Sequence, residues 1–540
     1  MNKKYIKFLK KNFFEISFVV LSLLFSSWLM FSTFSYKAGS MLIATKAWSD
    51  FASTIPLIRS FSLGSNFPPQ YPLFPGEPIH YHFLFYLIVG LLEKTGIRID
   101  YSLNILSIFG FFSLLIMIYL LAKKLFHSKF VGILSVIFFL FNGSFSFLEF
   151  FKTHPISGNL LIDIISNKTF PSFGPYDGKI ISAFWNLNIY TNQRHLSLSF
   201  AILLFLIYLF YPSPVFKRKL FSIIFSAFLI TLLFFINQPS FIIAMLFMVF
   251  FVAINIKKNF LLSVPLILGI ILFFLYSFPT SLYNVSFKIG FLTPLPLTIK
   301  SFLFYWVSNF GLYTILLPIS IIILPRKLKL LSIPLFILFV IANVLQLSRD
   351  IINNHKFFNF ILIIGGIFVS NLMFYVWKGK GLLNKLLFFI LIIFLTLSGI
   401  IDLMPIKNDA KITLRDTPTN PDIAFILKRT KPNDIILNNT SLYNPASLAG
   451  RSIFFGYSYF AWSYGYDTAS RKAIYLQIYR SGTKEIACNL LNKNNISYVE
   501  LNNTPEEFIK PNLELWEKEF TKIYQNPESG IFLYDVKKTC

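Results

Sequence analysis

The chain has 540 residues, of which 55% are hydrophobic and only 14% are charged, and its mean hydropathy is +0.64. A soluble globular protein carries about 25% charged residues, so water alone is excluded as the solvent of this chain. A formal charge of +25 could indicate nucleic-acid binding, but the lysines and arginines cluster in short segments between apolar runs, as in cytoplasmic loops of membrane proteins. We therefore predict an integral membrane protein that does not bind nucleic acid.

The first predicted element is a membrane span at the N-terminal end. Lysines at 3, 4, 7, 10 and 11 come directly before an apolar run over about 13–34. This run is too long for a signal peptide and lacks a clear small-residue cleavage site. We predict a retained first span whose N-terminal end lies in the cytoplasm. Further basic clusters occur at 123–124, 217–219, 257–258, 326–329 and 378–380.

The positions of these clusters predict the topology of the rest of the chain. If every cluster is cytoplasmic, two spans must separate successive clusters. The apolar runs supply them at about 101–122, 129–147, 196–211, 220–236, 240–256, 259–277, 301–323, 330–348, 357–377 and 382–402. This predicts about eleven spans in the plasma (inner) membrane, with residues 403–540 on the extracytoplasmic side. The apolar stretch His80–Leu92 is too short to cross, and we predict a juxtamembrane or re-entrant helix there.

The residues after about 403 form a region of a different kind, with shorter apolar runs and more carboxylates. Helices are predicted over 423–429 and 484–494, strands over 434–437 and 496–501, and a hairpin over 520–524 and 530–536 with its turn at Asn526-Pro527. Alternating helices and strands indicate a small α/β domain. The predicted fold is therefore an α-helical polytopic membrane domain over 1–402 followed by an extracytoplasmic α/β domain over 403–540.

The two cysteines, Cys488 and Cys540, provide neither a disulfide framework nor a zinc spacing. A bond between them is geometrically possible, but we expect two unpaired thiols.

The first candidate site begins just after the first predicted span. Asp50 could act as a general base that removes a proton from an acceptor hydroxyl, although a loop aspartate is more often a solvated residue or a helix cap. The loop that follows is long, has proline and glycine at defined points, and combines Glu77 with His80 and His82. Long ordered loops are often functional, so we favour a site here. Two histidines could suggest a metal, but no third ligand is evident and we predict no metal site.

The second candidate site is the polar run Gln193-Arg194-His195, which opens a predicted span at its outer end. Such residues can be ordinary interface anchors. The run is longer than anchoring requires, and an arginine offers a planar fork of donors that suits a phosphate. We therefore also consider a phosphate-binding role.

The third candidate site is a short predicted outer loop with Asp350, Asn354, His355 and Lys356. Charged groups next to lipid are costly unless they pair or serve a site. Cations are disfavoured on the outer side by the positive-inside rule, so they need another purpose there. A lipid phosphate would provide it.

Several short motifs resemble those of one known group of membrane enzymes. The first motif begins at Asp50, continues with Leu57-Ile58-Arg59-Ser60-Phe61, Gly64 and residues 66–69, and ends with residues 76–83. The other motifs are Asn192–His195, Asn354–Phe357, Leu448–Arg451 with Gly456, and Tyr464–Asp467. Together with the long first outer loop, these motifs are similar to those of the GT-C superfamily of membrane glycosyltransferases. That superfamily includes protein O-mannosyltransferases and aminoarabinose transferases.

The resemblance implies transfer of a sugar from a polyprenyl-phosphate-linked donor to an acceptor on the outer face of the membrane. In the superfamily an aspartate of the first outer loop is the catalytic base, and Asp50 has this position. Relatives often carry a histidine four residues later, where this chain has Thr54, so a helper role on that helix turn is in doubt. Some members use a divalent metal; the sequence neither requires nor excludes one, and the cofactor is unknown.

The predicted site is therefore Asp50 as the catalytic base, acting with inversion at the sugar carbon. The predicted substrate-binding residues are Arg59, Glu77, His80, His82, Gln193, Arg194, His195, Asp350, Asn354, His355 and Lys356. The expected partners are the lipid-linked donor, membrane lipids and an unidentified acceptor. Two alternatives remain open: a transporter or flippase of lipid-linked sugars, and a non-catalytic envelope assembly protein.

Overall fold

The computed structural model describes residues 3–173, 182–211, 219–254, 256–276, 285–439, 441–502 and 509–540. The chain divides into two compact units. The first unit comprises Met1–Thr33, Ala44–Lys46 and Asn104–Ala410; the second comprises Phe34–Ile43, Ala47–Leu103 and Lys411–Cys540. The second unit thus contains both the loop after the first predicted span and the C-terminal segment. The predicted domain boundary at residue 403 stays a prediction.

The first unit contains the apolar helices. Five of the described helices are long and apolar enough to cross a membrane: Asn12–Thr33, Ile99–Phe126, Arg326–Val344, Ile351–Lys378 and Leu382–Lys407. Shorter apolar helices are Lys129–Leu140, Arg194–Phe210, Leu220–Ile236, Gln238–Ile254 and Phe260–Tyr276. These helices confirm a multi-pass membrane protein, and each overlaps a predicted span. The count of eleven spans and the topology stay predictions, and residues 217 and 218 of one basic cluster lie outside the described residues.

One further pair of helices, Ile299–Phe310 and Tyr313–Ile323, would count as a sixth span but bends by 81°. The bend lies at Gly311, which has a φ of +55°. A Cβ there would lie 1.8 Å from the carbonyl oxygen of Gly143, so only glycine fits this turn. The first helix of the pair begins at a capping box of Thr298 and Ser301.

One predicted span ends earlier than expected. The helix Lys129–Leu140 does not continue to 147, because Asn142 accepts a bond from the backbone N–H of Ser144 and thereby replaces a helical bond. The chain then forms the short helices Phe147–Thr153, Leu160–Ser166, Ser182–Trp185 and Asn188–Asn192. The other short elements of this unit are Ile256–Asn259 and the paired strands Ser286–Phe287 and Leu345–Gln346.

The second unit is built around a five-stranded mixed sheet. Its strand order is Lys522–Asn526, Ile531–Asp535, Ile496–Asn502, Ile435–Leu437 and Ser452–Ile453; the last three are parallel. The helices of the unit are Trp48–Ser62, Leu84–Lys94, Pro421–Arg429, Pro445–Leu448, Ser458–Ser463, Thr468–Tyr479, Lys484–Lys493 and Leu513–Glu519. Smaller sheets combine Phe34–Lys37, Ser40–Ala44 and Lys411–Arg415, and Gln70–Tyr71 with Phe74–Pro78.

The local sequence signals of the C-terminal segment are confirmed. The predicted helices and strands all occur within a few residues of their predicted bounds, and the terminal pair forms an antiparallel hairpin. Asn420 and Thr483 cap two of the helices through side-chain oxygens, as their sequence positions favour. The predicted short helix in His80–Leu92 is also present, as Leu84–Lys94.

The expectation of two unpaired thiols is wrong. Cys488 and Cys540 form a disulfide, with their Cα atoms 5.4 Å apart. Cys488 lies on the helix that leads into strand Ile496–Asn502, and Cys540 follows the strand that pairs with it. The sheet therefore brings together two positions that are distant in sequence, within the range that a disulfide requires.

Candidate functional site

In the second unit, Asp50 lies in the first turn of the helix Trp48–Ser62. A carboxylate is favourable at this end of a helix because the helix dipole is positive there. Residues 51–62 are buried, whereas Asp50 is only half-buried. The hydroxyls of Ser53 and Thr54 donate to the backbone oxygen of Asp50, within the first turns of the helix. The helix thus presents Asp50 at its accessible end.

The charge of Asp50 acts on three tyrosines. Burial raises the pKa of Tyr464 to about 12, and the nearby Asp50 charge contributes to that rise. Burial, together with Asp50, also raises the pKa of Tyr443 and of Tyr81. The rings of Tyr81 and Tyr464 stack 4.0 Å apart. The Tyr443 hydroxyl donates to the backbone oxygen of Trp48 at 2.6 Å, which ties this ring to the start of the Asp50 helix.

The predicted loop residues Glu77, His80 and His82 come together in the same unit. The Nε2 atom of His80 lies 3.7 Å from a carboxylate oxygen of Glu77, and its ring stacks on Tyr466 at 4.1 Å. His82 is buried, with its ring 3.6 Å from that of Tyr81. The loop therefore contributes directly to the aromatic surroundings of Asp50.

The C-terminal motifs position the far end of the Asp50 helix. Gly450 has a φ of +74°, and a Cβ there would lie 2.5 Å from the backbone oxygen of Arg59. A Cβ at Gly64 would lie 2.3 Å from the backbone oxygen of Gly450, so both positions require glycine. Arg451 donates to the backbone oxygen of Leu63 at 2.9 Å. The motif residues thus fix where this helix ends.

Arg59, predicted to bind substrate, is buried in an ion-pair network. Its Nη2 atom lies 2.6 Å from Asp416 and its Nε atom 3.3 Å from Glu93. Ser62 also donates to Glu93, at 2.6 Å. Burial raises the pKa of Glu93, and the Arg59 charge opposes this rise. These contacts give Arg59 a structural role, and its predicted contact with substrate stays a prediction.

In the first unit, Arg194 is buried and all five of its donors bond to protein acceptors. They reach the backbone oxygens of Thr191 and Met30, the Met30 sulfur, the Thr33 hydroxyl at 2.6 Å and the Asn104 side chain at 3.2 Å. The guanidinium therefore joins the first helix of the chain to the helix that begins at Arg194. The predicted phosphate contact of Arg194 stays a prediction.

His195, His355 and Lys356 form a second buried group in the first unit. His355 and Lys356 are the first two residues of the helix His355–Lys378, and the charge of Lys356 acts on both imidazoles. The Nδ1 atom of His355 accepts from the Asn359 amide at 3.0 Å, which leaves the ring proton on Nε2. Within the described residues, this buried Nε2 atom has no hydrogen-bond partner. An imidazole donor beside an ammonium group is an arrangement that binds anions.

Two of the remaining predicted residues of the first unit, Asn354 and Asp350, hold loop backbone in place. Asn354 donates to the backbone oxygens of Ala342 and Leu345. Asp350 accepts from the backbone N–H of Ile352 and caps the turn 351–354. Gln193 immediately precedes the helix of Arg194. Any direct contact of these three with substrate stays a prediction.

The structure therefore brings the predicted residues together in two groups, one in each unit. Asp50, Glu77, His80 and His82 belong to the second unit, and His195, His355 and Lys356 belong to the first. Sequence reasoning did not connect Tyr443 and Tyr464 with Asp50, although the motif Tyr464–Asp467 was a signal for the latter tyrosine. Among the described residues, no group of three or more His, Cys, Asp or Glu could hold a metal ion.

No protein-family model matches the sequence, and no curated protein matches it. The fold is similar to an Archaeoglobus fulgidus oligosaccharyltransferase tethered with an acceptor peptide containing the NVT sequon, over 98% of this chain and 74% of that one, with 13% identity and a TM-score of 0.48. It is also similar to AglB from the same organism in complex with an inhibitory peptide and a dolichol-phosphate, over 97% and 74%, with 12% identity and a TM-score of 0.49. At these TM-scores and identities, the likeness assigns no role to any residue.

Proposed function

We propose that this protein is a membrane glycosyltransferase that moves a sugar from a polyprenyl-phosphate-linked donor to an acceptor on the outer face of the plasma membrane. The observation that carries the proposal is the position of Asp50. It is a carboxylate at the accessible end of an otherwise buried helix, and its charge is close to Tyr81, Tyr443 and Tyr464. A base beside aromatic rings suits a sugar hydroxyl and its ring as substrates.

Asp50 would act as the general base. An acceptor hydroxyl is a weak nucleophile, so the carboxylate takes its proton as the oxygen attacks the anomeric carbon. The bond from that carbon to the phosphate oxygen breaks, and the phosphate leaves with the electron pair. Because a phosphate can leave without an acid, one carboxylate suffices. Direct displacement then inverts the configuration at the anomeric carbon.

The tyrosines would hold the sugar without competing for the proton. With pKa values raised above the ordinary value of 10.0, the phenols of Tyr81, Tyr443 and Tyr464 stay protonated at neutral pH. The Tyr464 hydroxyl can donate to a sugar oxygen, and the aromatic rings can cover the apolar side of the sugar. Protonated phenols also add no negative charge beside Asp50, which therefore remains an effective base.

His355 and Lys356 would hold the phosphate of the donor. The Nε2 proton of His355 is a hydrogen-bond donor without a partner among the described residues, and Lys356 supplies positive charge beside it. Charge-assisted bonds to phosphate are among the strongest in proteins. We assign this role to His355 and Lys356 rather than to Arg194, whose donors all bond to protein.

The test is a transfer assay with purified protein in lipid nanodiscs. Polyprenyl-phosphate sugars with a radiolabel in the sugar are supplied with an extract of the cell envelope as the source of acceptor. Label that leaves the lipid fraction and joins an envelope component, in a reaction that depends on the protein, is the expected result. In proteoliposomes, movement of intact donor between leaflets without loss of its sugar would instead identify a flippase. Neither transfer nor movement would favour an assembly protein and overturn the proposal.

A further inference from the structure

Residues 147–173, which we call the loop segment, expose an unusual amount of apolar surface. The segment contains the short helices Phe147–Thr153 and Leu160–Ser166. Six of its large apolar side chains are about half exposed or more: Leu148, Ile156, Leu161, Ile162, Ile165 and Phe173. Ile156 is 78% exposed and Leu161 is 68% exposed. Such a dense set of exposed apolar side chains indicates a partner.

The opposite face of the loop segment packs within the first unit. Leu160 and Ile164, four residues apart on one helix face, pack against Phe147, Phe150 and Ile401. Ile401 belongs to the apolar helix Leu382–Lys407. The helix Leu160–Ser166 is therefore apolar around most of its circumference, with Asp163 and Ser166 on the remaining side. A wide apolar face beside a narrow polar one is typical of helices that lie at a membrane interface.

A pair of hydrogen bonds holds the loop segment at the end of the Leu382–Lys407 helix. The side-chain amide of Asn408 donates to the backbone oxygens of Ile165 and Asn167, at 2.7 and 2.9 Å. At about 1.5 Å per residue, Ile401 lies roughly 29 Å along the axis from Leu382. The apolar core of a bilayer is about 30 Å thick. A helix that enters this core at Leu382 leaves it near Ile401, where the loop segment packs.

The apolar surface continues from that helix to the loop segment. Ile393, Phe394 and Ile400 of the helix are exposed, and Ile400 is the neighbour of Ile401, on which the segment packs. Lys152 and Lys168 flank the apolar residues and are exposed. Apolar side chains flanked by lysines are the pattern of interfacial segments, whose amines reach the headgroups.

We propose that the loop segment inserts Leu161, Ile162 and Ile165 among the acyl chains of the membrane leaflet at this end of the Leu382–Lys407 helix. The partner is bilayer lipid, and the segment is an interfacial anchor rather than a water-exposed loop. This inference does not depend on the proposed catalytic function.

The test uses Leu161→Cys labelled with the environment-sensitive fluorophore NBD, in nanodiscs. The native Cys488 and Cys540 form a disulfide, so the label is directed to the new thiol. Leu161 is mostly exposed, and the substitution therefore removes little packing. The aqueous control is Gly482→Cys, because a Cβ at Gly482 would meet nothing within 4 Å.

We expect the label at position 161 to show blue-shifted emission and several-fold stronger quenching by nitroxide on the acyl chain than by iodide. At position 482 we expect stronger quenching by iodide than by the nitroxide. Iodide quenching at 161 equal to that at 482 would show a water-exposed loop and overturn the proposal. Protection at 161 from both quenchers would show a protein partner, such as a second copy, and would overturn it equally. Ile162→Cys, with the same label, repeats the measurement if the first variant does not fold.

Discussion

The two ends of the helix Trp48–Ser62 differ in how they use a charged side chain. Asp50, in the first turn, is half-buried, and its charge contributes to the raised pKa of Tyr464. Arg59, in the last turn, is buried and lies between Asp416 and Glu93. One end carries the proposed base, and the other fixes the helix within the second unit. The sequence motif contains both residues, and only their surroundings distinguish the residue that we propose for chemistry from the residue that stabilises the fold.

The sharpest test of this comparison is Asp50→Asn. The amide keeps the shape of the side chain but cannot accept the proton, and general-base catalysis is worth about 10²–10⁴-fold. We expect turnover in the transfer assay to fall by about that factor, with donor affinity and thermal stability unchanged. Asp163→Asn is the matched control, since Asp163 also lies in the first turn of a helix. Full activity of Asp50→Asn would remove Asp50 from the mechanism.

The opposite result is expected at the other end of the helix. Arg59→Met leaves two buried carboxylates without their shared cation, and breaking a buried ion pair costs about 3–5 kcal/mol. We expect a large drop in the thermal midpoint of the second unit, measured by differential scanning fluorimetry of the detergent-solubilised protein. A variant that retains its stability but binds the donor weakly would instead support the predicted substrate contact of Arg59.

Lys356 provides a test within the first unit. Lys356→Met removes the positive charge that acts on His195 and His355, and with it the proposed bond from the amine to the donor phosphate. Hydrogen bonds to charged groups are worth about 1.5–3 kcal/mol. We expect the dissociation constant for the lipid-linked donor to rise by about 10- to 100-fold, measured by equilibrium binding. Lys378→Met, an exposed lysine at the other end of the same helix, is the control. Equal effects of the two substitutions would rule out a specific phosphate contact.

The smallest expected effect is a pH dependence from Glu93. Burial raises its pKa above the ordinary value of 4.5, so the folded state binds this proton more tightly than the unfolded state does. The contribution of Glu93 to the free energy of unfolding is therefore greatest below about pH 4.5 and is lost as pH rises through the folded-state pKa. The charge of Arg59 partly offsets this effect.

The substitution Glu93→Gln should remove this loss of stability with rising pH. We expect the thermal midpoint of the variant, relative to that of the unchanged protein, to rise between pH 4.5 and 7.5. If the difference in thermal midpoint between the variant and the unchanged protein stays constant with pH, or falls as pH rises, burial of the Glu93 charge is not unfavourable.

The sequence predicts the elements whose signals are local. Apolar runs of sufficient length predict the membrane helices, and Asn526-Pro527 predicts the terminal hairpin. The surroundings of Asp50 were not predictable in this way, because Tyr443 and Tyr464 lie several hundred residues further along the chain and no periodic pattern connects them to Asp50. The partnership of Arg59 with Asp416 and the disulfide of Cys488 depend on the folded second unit for the same reason.

The most direct test of the central claim is the anomeric configuration of the product. A single base at Asp50 and direct displacement of the phosphate require one inversion at the sugar carbon. With a donor of known anomeric configuration, the coupling constant of the anomeric proton in the isolated product reports the outcome by NMR. We predict the opposite configuration to that of the donor. A product that retains the donor's configuration would require two displacements and would contradict the assignment of Asp50 as the base.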